Sequence, residues 1–105
     1  MPISPWPIGQ TKAMTFTVYD DEHQPVNFGS ITANQCAFVV YNANQTAVVL
    51  TGTGTFTIVN AVGGVVQYVP AATDSSTPGP GNYFVRVKLT AGVGFSDFIS
   101  WVVQL

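Results

Sequence analysis

Alternation of apolar and polar residues with a period of two is the feature that most restricts how this 105-residue chain can fold. Between Tyr83 and Leu89 every second residue is apolar, whereas Arg86 and Lys88 fall on the opposite face. This pattern is typical of a β-strand with one face in the core. No stretch has the repeat of about 3.6 residues that marks an amphipathic helix. The sequence therefore predicts an all-β fold.

Seven predicted strands follow one another at a spacing of about 8–12 residues. Turns rich in Gly, Pro, Asn and Asp separate them. Short strands at this spacing predict a β-sandwich. The strands are expected at 12–19, 33–41, 46–50, 55–59, 65–69, 83–89 and 95–105. Their inward positions define the predicted core: Phe16, Val18, Phe38, Val40, Tyr83, Val85, Val87 and Trp101.

Residues 1–10 depart from the alternation because Pro2, Pro5 and Pro7 fix φ and remove backbone donors. A segment with three prolines cannot be a helix or a central strand. We therefore predict an extended proline-rich N-terminal arm, followed by one domain at 11–105. The arm either docks on a neighbouring subunit or folds back over its own domain. The residues predicted to anchor it on a neighbour are Ile3, Trp6 and Ile8.

Aromatic residues also fall at outward positions of the predicted strands. Trp6 lies on the arm, and Tyr19, Tyr41 and Phe84 lie on outward strand positions. Such rings can anchor a protein interface, pair across strands or stack on sugars. We predict interface roles for Trp6 and Phe84 and cross-strand pairing for Tyr19. Sugar binding is the weaker interpretation, because no polar partners cluster beside these rings in the sequence.

Charge is scarce in this chain. Charged residues make up 8% of it, against about 25% in typical domains. The net charge is −2, so the chain lacks the basic footprint of a nucleic-acid-binding protein and the polybasic patch of a membrane-binding one. Thr, Ser, Asn and Gln supply most of the polarity. Low charge weakens the usual defence against association, which favours a subunit packed among other subunits.

Cys36 is the single cysteine, so an internal disulfide is excluded. No apolar run reaches the length of a membrane-spanning helix. The N-terminal segment has neither the basic region nor the apolar region of a signal peptide. We therefore expect the chain to be made and folded in a cytoplasm.

The densest polar cluster is the run Asp20, Asp21, Glu22 and His23. Adjacent carboxylates can share a hard cation, but this spacing fits no known ligand motif. A solvated turn is the better interpretation. We predict no metal site.

Catalysis has few candidates. Cys36 and His23 could act as nucleophile and base, but Cys36 shares a strand face with Phe38 and Val40, which predicts a buried thiol. The Gly-rich run 51–54 is not followed by the helix that a phosphate loop requires. We expect no catalytic residue and no cofactor, and hence a protein that is not an enzyme.

The run Gly81-Asn82-Tyr83 resembles the tyrosine corner of immunoglobulin-like domains, in which a Tyr begins the penultimate strand. The resemblance implies an immunoglobulin-like β-sandwich of about seven strands. The paired cysteines of that fold are missing. An apolar contact between Cys36 and Val85 is expected to replace their bridge.

The order of motifs is similar to the N-terminal domain of phage baseplate upper proteins. An Ile8-Gly9 opening precedes an alternating strand, and an acidic turn at 20–26 ends near a proline. A Gly64…Tyr68 pair and an Asp-containing loop from Asp74 to Tyr83 follow. At one position the chain departs from this family, because His23 stands where a turn glycine is common.

This resemblance implies a non-enzymatic structural protein of a bacteriophage virion, located in the tail or baseplate and made in the host cytoplasm. Its expected partners are other virion structural proteins and copies of itself, with no nucleic acid and no membrane. A capsid-decoration or head-to-tail connector role is the nearest alternative. A carbohydrate-binding module for host attachment is an alternative of another class.

Overall fold

Nine strands and one helical turn make up the described part of the chain, which comprises residues 3–7, 9, 11–29, 32, 35–90 and 94–104 of a computed structural model. The elements are β1 (Ile3–Pro7), β2 (Met14–Tyr19), β3 (Cys36–Tyr41), β4 (Val48–Thr51), β5 (Thr55–Asn60), β6 (Val65–Val69), α1 (Thr73–Ser76), β7 (Gly81–Leu89), β8 (Phe95–Ser96) and β9 (Ile99–Gln104). The fold is therefore all-β, as predicted. No helix within these ranges is long and apolar enough to cross a membrane.

The strands form a curled sheet in which β7 is the branching strand. One edge of β7 pairs with β3, which pairs in turn with β4. Its other edge pairs first with β9 and then with β8. From β8 the sheet continues through β2 and β6 to β5. All of these ladders are antiparallel, and β1 alone among the described strands is added in parallel, on β9.

One apolar core lies between the two arms of this curled sheet. One sheet arm consists of β3, β4, β7 and β9, and the other consists of β2, β5 and β6. The ring of Phe38 is fully buried in this core, with its centroid 4.3 Å from that of Tyr68 in a stacked arrangement. The rings of Phe16 and Trp101 meet it edge-on, at 6.0 and 5.9 Å. Seven of the eight predicted core residues are buried here, and Tyr83 is half-buried against the cluster. The alternation thus identified the inward faces correctly.

The proline-rich segment pairs with its own domain. Ile3 lies opposite Trp101 and Trp6 opposite Val103, with a register shift between the two pairs. Within the described residues, β1 pairs only with β9, so it is an edge strand, which is where prolines are tolerated. The sequence left two arrangements open for this segment, docking on a neighbouring subunit or folding back over its own domain. The backbone adopts the second. Ile8 and the side chains of Ile3 and Trp6 lie outside the described residues.

Two details of the sequence prediction are wrong. The expected last strand is two strands, β8 and β9, because Asp97 and Phe98 interrupt it. The expected contact between Cys36 and Val85 is also wrong, since Cys36 lies opposite Leu89 and Val85 opposite Val40 on the adjacent strand. Cys36 is a free, buried thiol whose pKa is raised by burial, as expected for a small apolar residue.

Candidate functional site

An arginine enclosed by aromatic rings occupies the outward face of β7. We call this surface the Arg86 patch. It consists of Tyr41, Phe84, Arg86, Phe95 and Phe98, which come from β3, β7, β8 and the segment between β8 and β9. Phe84 was predicted as an interface residue from its outward position, and it lies directly opposite Tyr41 in the β3–β7 ladder.

The guanidinium of Arg86 lies over three rings. Its central carbon is 4.3 Å from the ring centroid of Phe95 and 4.5 Å from that of Phe98. The ring of Tyr41 is 5.1 Å away, and its hydroxyl accepts a hydrogen bond of 3.0 Å from the guanidinium. Each such cation–π contact contributes roughly 0.5–2 kcal/mol, depending on desolvation. Together these contacts hold a long, flexible side chain in one position.

The aromatic rings of the patch also contact one another. Phe98 meets the ring of Tyr41 edge-on at 5.1 Å and that of Phe84 at 6.4 Å. Beneath them, Val39 lies opposite Arg86 on the outward face and is nevertheless only 4% exposed. Ring contacts therefore cover part of the outward face of β3 and β7, and the patch is a largely apolar surface with one cation.

The charge of Arg86 has no carboxylate partner within the described residues. The ion pair found there joins His23 Nε2 to Asp97 Oδ1, at 3.6 Å, and both side chains are largely exposed. The Nε of Arg86 is buried without a described hydrogen-bond partner. The patch thus combines aromatic rings with a half-buried guanidinium that has no carboxylate partner among the described residues. Tyr and Arg side chains are among those that dominate binding energy at protein interfaces.

An open groove of about 210 Å³ adjoins the patch where β2 meets β8. Its lining includes the hydroxyl-bearing residues Thr15 and Thr17, the ring of Tyr19, the carboxylate of Asp97 and the ring of Phe98. These side chains come from distant parts of the sequence. Polar groups therefore do lie beside an outward aromatic ring, although none is adjacent to it in the chain.

The acidic turn after β2 is a capped turn. The Oδ1 of Asp20 accepts hydrogen bonds of 2.9 Å from the backbone N–H groups of Glu22 and Gln24. His23 has a φ of +57°, the left-handed conformation in which glycine is favoured, and this fits the departure noted at that position. Its ring stacks on Tyr19 at 4.2 Å. No group of three His, Cys, Asp or Glu residues suited to a metal ion is found among the described residues.

The two residues considered as a nucleophile and base, Cys36 and His23, have separate surroundings. His23 contacts Tyr19 and Asp97 at the surface, whereas Cys36 lies in the core. Burial raises the pKa of the Cys36 thiol, which favours its neutral and weakly nucleophilic form.

A buried carboxylate that the sequence analysis missed joins the β4–β5 connection to α1. Asp74 is only 1% exposed. Its Oδ1 accepts a 3.0 Å hydrogen bond from the Thr53 N–H, and its Oδ2 accepts one of 3.2 Å from the Ala71 N–H and one from the Tyr68 hydroxyl. We call these residues, with Gly54, the Asp74 network.

Tyr68 connects the network to the core, because its ring is part of the buried cluster. Its hydroxyl donates to Asp74 and accepts a 2.8 Å hydrogen bond from the Gly54 N–H. Burial, together with the hydrogen bond to Asp74, raises the pKa of Tyr68 well above its usual range, so the hydroxyl stays protonated. A Cβ at Gly52 would overlap this hydroxyl and lie 2.9 Å from Asp74 Oδ2, so the close approach requires glycine. The network is structural, because every donor and acceptor named here is used within the chain.

Tyr83 anchors the chain before β7 through its hydroxyl. It lies 3.0 Å from the carbonyl oxygens of both Pro78 and Gly79, to which it donates. A tyrosine corner has this geometry, in which a Tyr near the start of a strand bonds to the backbone a few residues upstream.

No protein-family model matches the chain, and no curated protein matches it.

Proposed function

We propose that this chain is a non-enzymatic, immunoglobulin-like assembly module of a bacteriophage virion, and that it contacts a neighbouring virion protein through the Arg86 patch. The observation that carries the proposal is the caged guanidinium of Arg86, which lies on a packed aromatic surface in a chain with 8% charged residues. A tail or baseplate position is the primary proposal, and a capsid-decoration or connector position is the alternative.

The pairing of the strands supports the immunoglobulin-like part of the proposal. In that fold one sheet has its E strand between B and D, and the other has its F strand between C and G. Here β6 lies between β2 and β5, and β7 lies between β3 and β9. In this scheme β7 is the F strand, which is where a tyrosine corner occurs, and Tyr83 lies near its start.

The virion part of the proposal rests on the resemblance in motif order to phage baseplate upper proteins. The scarcity of charge supports it, because a surface with few charges suits a subunit whose faces are covered by neighbours. Proline-rich residues 1–10 are part of the proposal as an assembly arm. Within the described residues one edge of β1 is unpaired, which leaves it open to a neighbour. The residues proposed to anchor that contact are those predicted from the sequence, Ile3, Trp6 and Ile8.

The Arg86 patch suits an interface for an energetic reason. Immobilising a rotamer-rich side chain on binding costs about 0.5–1.5 kcal/mol. Phe95, Phe98 and Tyr41 already hold the Arg86 side chain, so little of that cost remains. A carboxylate on the partner would supply the counter-charge that the described residues lack.

Replacing Arg86 by alanine in the phage that encodes the chain is expected to reduce its incorporation into purified particles about tenfold or more, as quantified by mass spectrometry. Arg86→Lys keeps the charge but loses the planar stacking, so it should incorporate poorly as well. Lys12→Ala is the matched control, because Lys12 is an exposed cation before β2 and outside the patch. Normal incorporation of folded Arg86→Ala protein, or absence of the wild-type chain from particles, would contradict the proposal.

The groove beside the patch favours a second candidate, a carbohydrate-binding module. Its lining includes Tyr19, Thr15, Thr17 and Asp97, and an aromatic residue beside a few polar ones suits a small polar ligand such as a sugar. If the chain has this second function, saturation-transfer NMR should detect binding of bacterial cell-wall saccharides, and the binding should be lost in both Tyr19→Ala and Asp97→Asn.

The control for this test is Asp21→Asn, which alters an exposed carboxylate outside the groove lining. It should leave saccharide binding unchanged. No saturation transfer from any saccharide, or equal transfer in the groove variants and the wild type, would rule out this candidate.

A further inference from the structure

Residues 24–73 contain no Asp, Glu, Lys or Arg. This uncharged segment provides β3, β4, β5 and β6. Two of these strands, β4 and β5, lie at edges of the sheet within the described residues. Natural proteins usually protect such edges with charges, prolines, bulges or short strands, because unpaired backbone groups invite pairing with another chain.

The edge strands differ in how they are protected. β1 contains Pro5 and Pro7 and has a register shift. β4 is four residues long, and its register shifts at the end of its ladder with β3. β5 has six residues with neither proline nor charge. Its ladder with β6 is regular over the four residues from Thr55 to Ile58 and shifts register only after them, between Ile58 and Asn60. It is therefore the least protected edge.

Exposed valines lie near both ends of β5. Val59 is 58% exposed and Val62, in the turn that follows, is 75% exposed. At the other end Val69 lies opposite Thr55 and is 39% exposed. Antiparallel pairing of two such edges would bring the Val59 end of one copy next to the Val69 end of the other. Apolar surface would then be buried at both ends of the contact.

We propose that two copies of this chain associate through β5, antiparallel and related by a two-fold axis, so that the sheet continues from one copy into the other. The inference deepens the assembly role proposed above and rests on it. In a two-fold antiparallel pair, the residues at the centre of the strand face their own copies, and Thr57 lies near the centre of β5, so a charge there would face a like charge. The edge has none, and Thr55 and Thr57 supply side chains that pair well with threonine across strands.

Thr57 gives the sharpest test, because its exposed side chain lies in the regular part of the edge. Sedimentation velocity of the purified chain over a range of concentrations is expected to show a monomer–dimer equilibrium. Thr57→Lys and Thr57→Glu should each weaken the dimer about tenfold or more, because like charges then face each other. An equimolar mixture of the two variants should dimerise again, since opposite charges then meet.

Thr15→Lys is the matched control. Thr15 and Thr57 lie on opposite sides of Gln67 in one cross-strand row, and the exposed Thr15 is two strands from the edge. The dimer should survive this change. A wild-type chain that stays monomeric at the highest concentration, or charged Thr57 variants that dimerise as the wild type does, would overturn the inference. Failure of the mixed variants to re-associate would do so as well.

The inference and the proposed function fail in different ways. Arg86→Ala should leave the β5 dimer intact in sedimentation, because Arg86 lies on the outward face of β7 and not on the β5 edge. If the Thr57 results are negative while Arg86→Ala still blocks incorporation, only the β5 inference is wrong. If the wild type dimerises as described but is absent from particles, the β5 contact holds and the virion role is wrong.

Discussion

Replacing Asp74 by alanine is expected to lower the free energy of unfolding by about 3–5 kcal/mol, measured by urea denaturation. The substitution leaves the N–H groups of Thr53 and Ala71 and the hydroxyl of Tyr68 without their acceptor in a buried site. Each buried donor left unsatisfied costs about 1–3 kcal/mol, so the loss should be large for a single side chain.

Two further variants separate the hydrogen bonds from the charge. Asp74→Asn keeps the shape but directs an amide donor at one of the existing donors, so an intermediate loss is expected. Tyr68→Phe combined with Asp74→Ala should cost less than the sum of the single changes, because both remove the same bond. Asp21→Ala, an exposed carboxylate, should change stability by less than about 0.5 kcal/mol. A loss below about 1 kcal/mol for Asp74→Ala would mean that the Asp74 network does not stabilise the fold.

Truncating Phe38 to alanine is expected to cost about 3–5 kcal/mol of unfolding free energy. Its ring is fully buried and contacts the rings of Phe16, Tyr68 and Trp101, which come from both arms of the curled sheet. Removing it opens a cavity at the point where the two arms meet. Thermal and urea unfolding followed by circular dichroism would measure the loss.

Phe38→Leu serves as the milder variant, since it keeps much of the volume and should lose about 1–2 kcal/mol. Val62→Ala is the exposed control and should change stability by less than about 0.5 kcal/mol. If Phe38→Ala unfolds at the same urea concentration as the wild type, the two arms do not share one core.

Local alternation predicted the inward faces well because each long strand has one face in the core. In β7, Val85 and Val87 are fully buried and Lys88 is exposed, as their alternation predicts. The same reasoning could not choose the partner of the N-terminal segment. Its prolines exclude a central strand. Its pairing with β9, however, joins segments that are far apart in the sequence, and no local sequence pattern indicates such a pairing.

The candidate site was predicted only in part, and the reason is again distance along the chain. Phe84 could be placed outward from the alternation of one strand, but the cage also needs Tyr41 from β3 and Phe95 and Phe98 from around β8. The break at Asp97 and Phe98, which the apolar pattern concealed, brings Phe98 over Arg86.

The sequence does carry a signal for the Asp74 network. Asp74 is the single charged residue between His23 and Arg86. An isolated carboxylate in so long an uncharged segment suggests a specific partner, since buried charges are paired or hydrogen-bonded. The identity of that partner depends on β6 and the β4–β5 connection meeting α1, which the sequence alone does not reveal.

A density map of the assembled phage particle tests the central proposal most directly. The proposal predicts density for this chain in the tail or baseplate, with the guanidinium of Arg86 covered by a neighbouring subunit and a carboxylate of that subunit beside it. A particle that lacks the chain, or one in which the Arg86 patch faces solvent in every copy, would contradict the proposal.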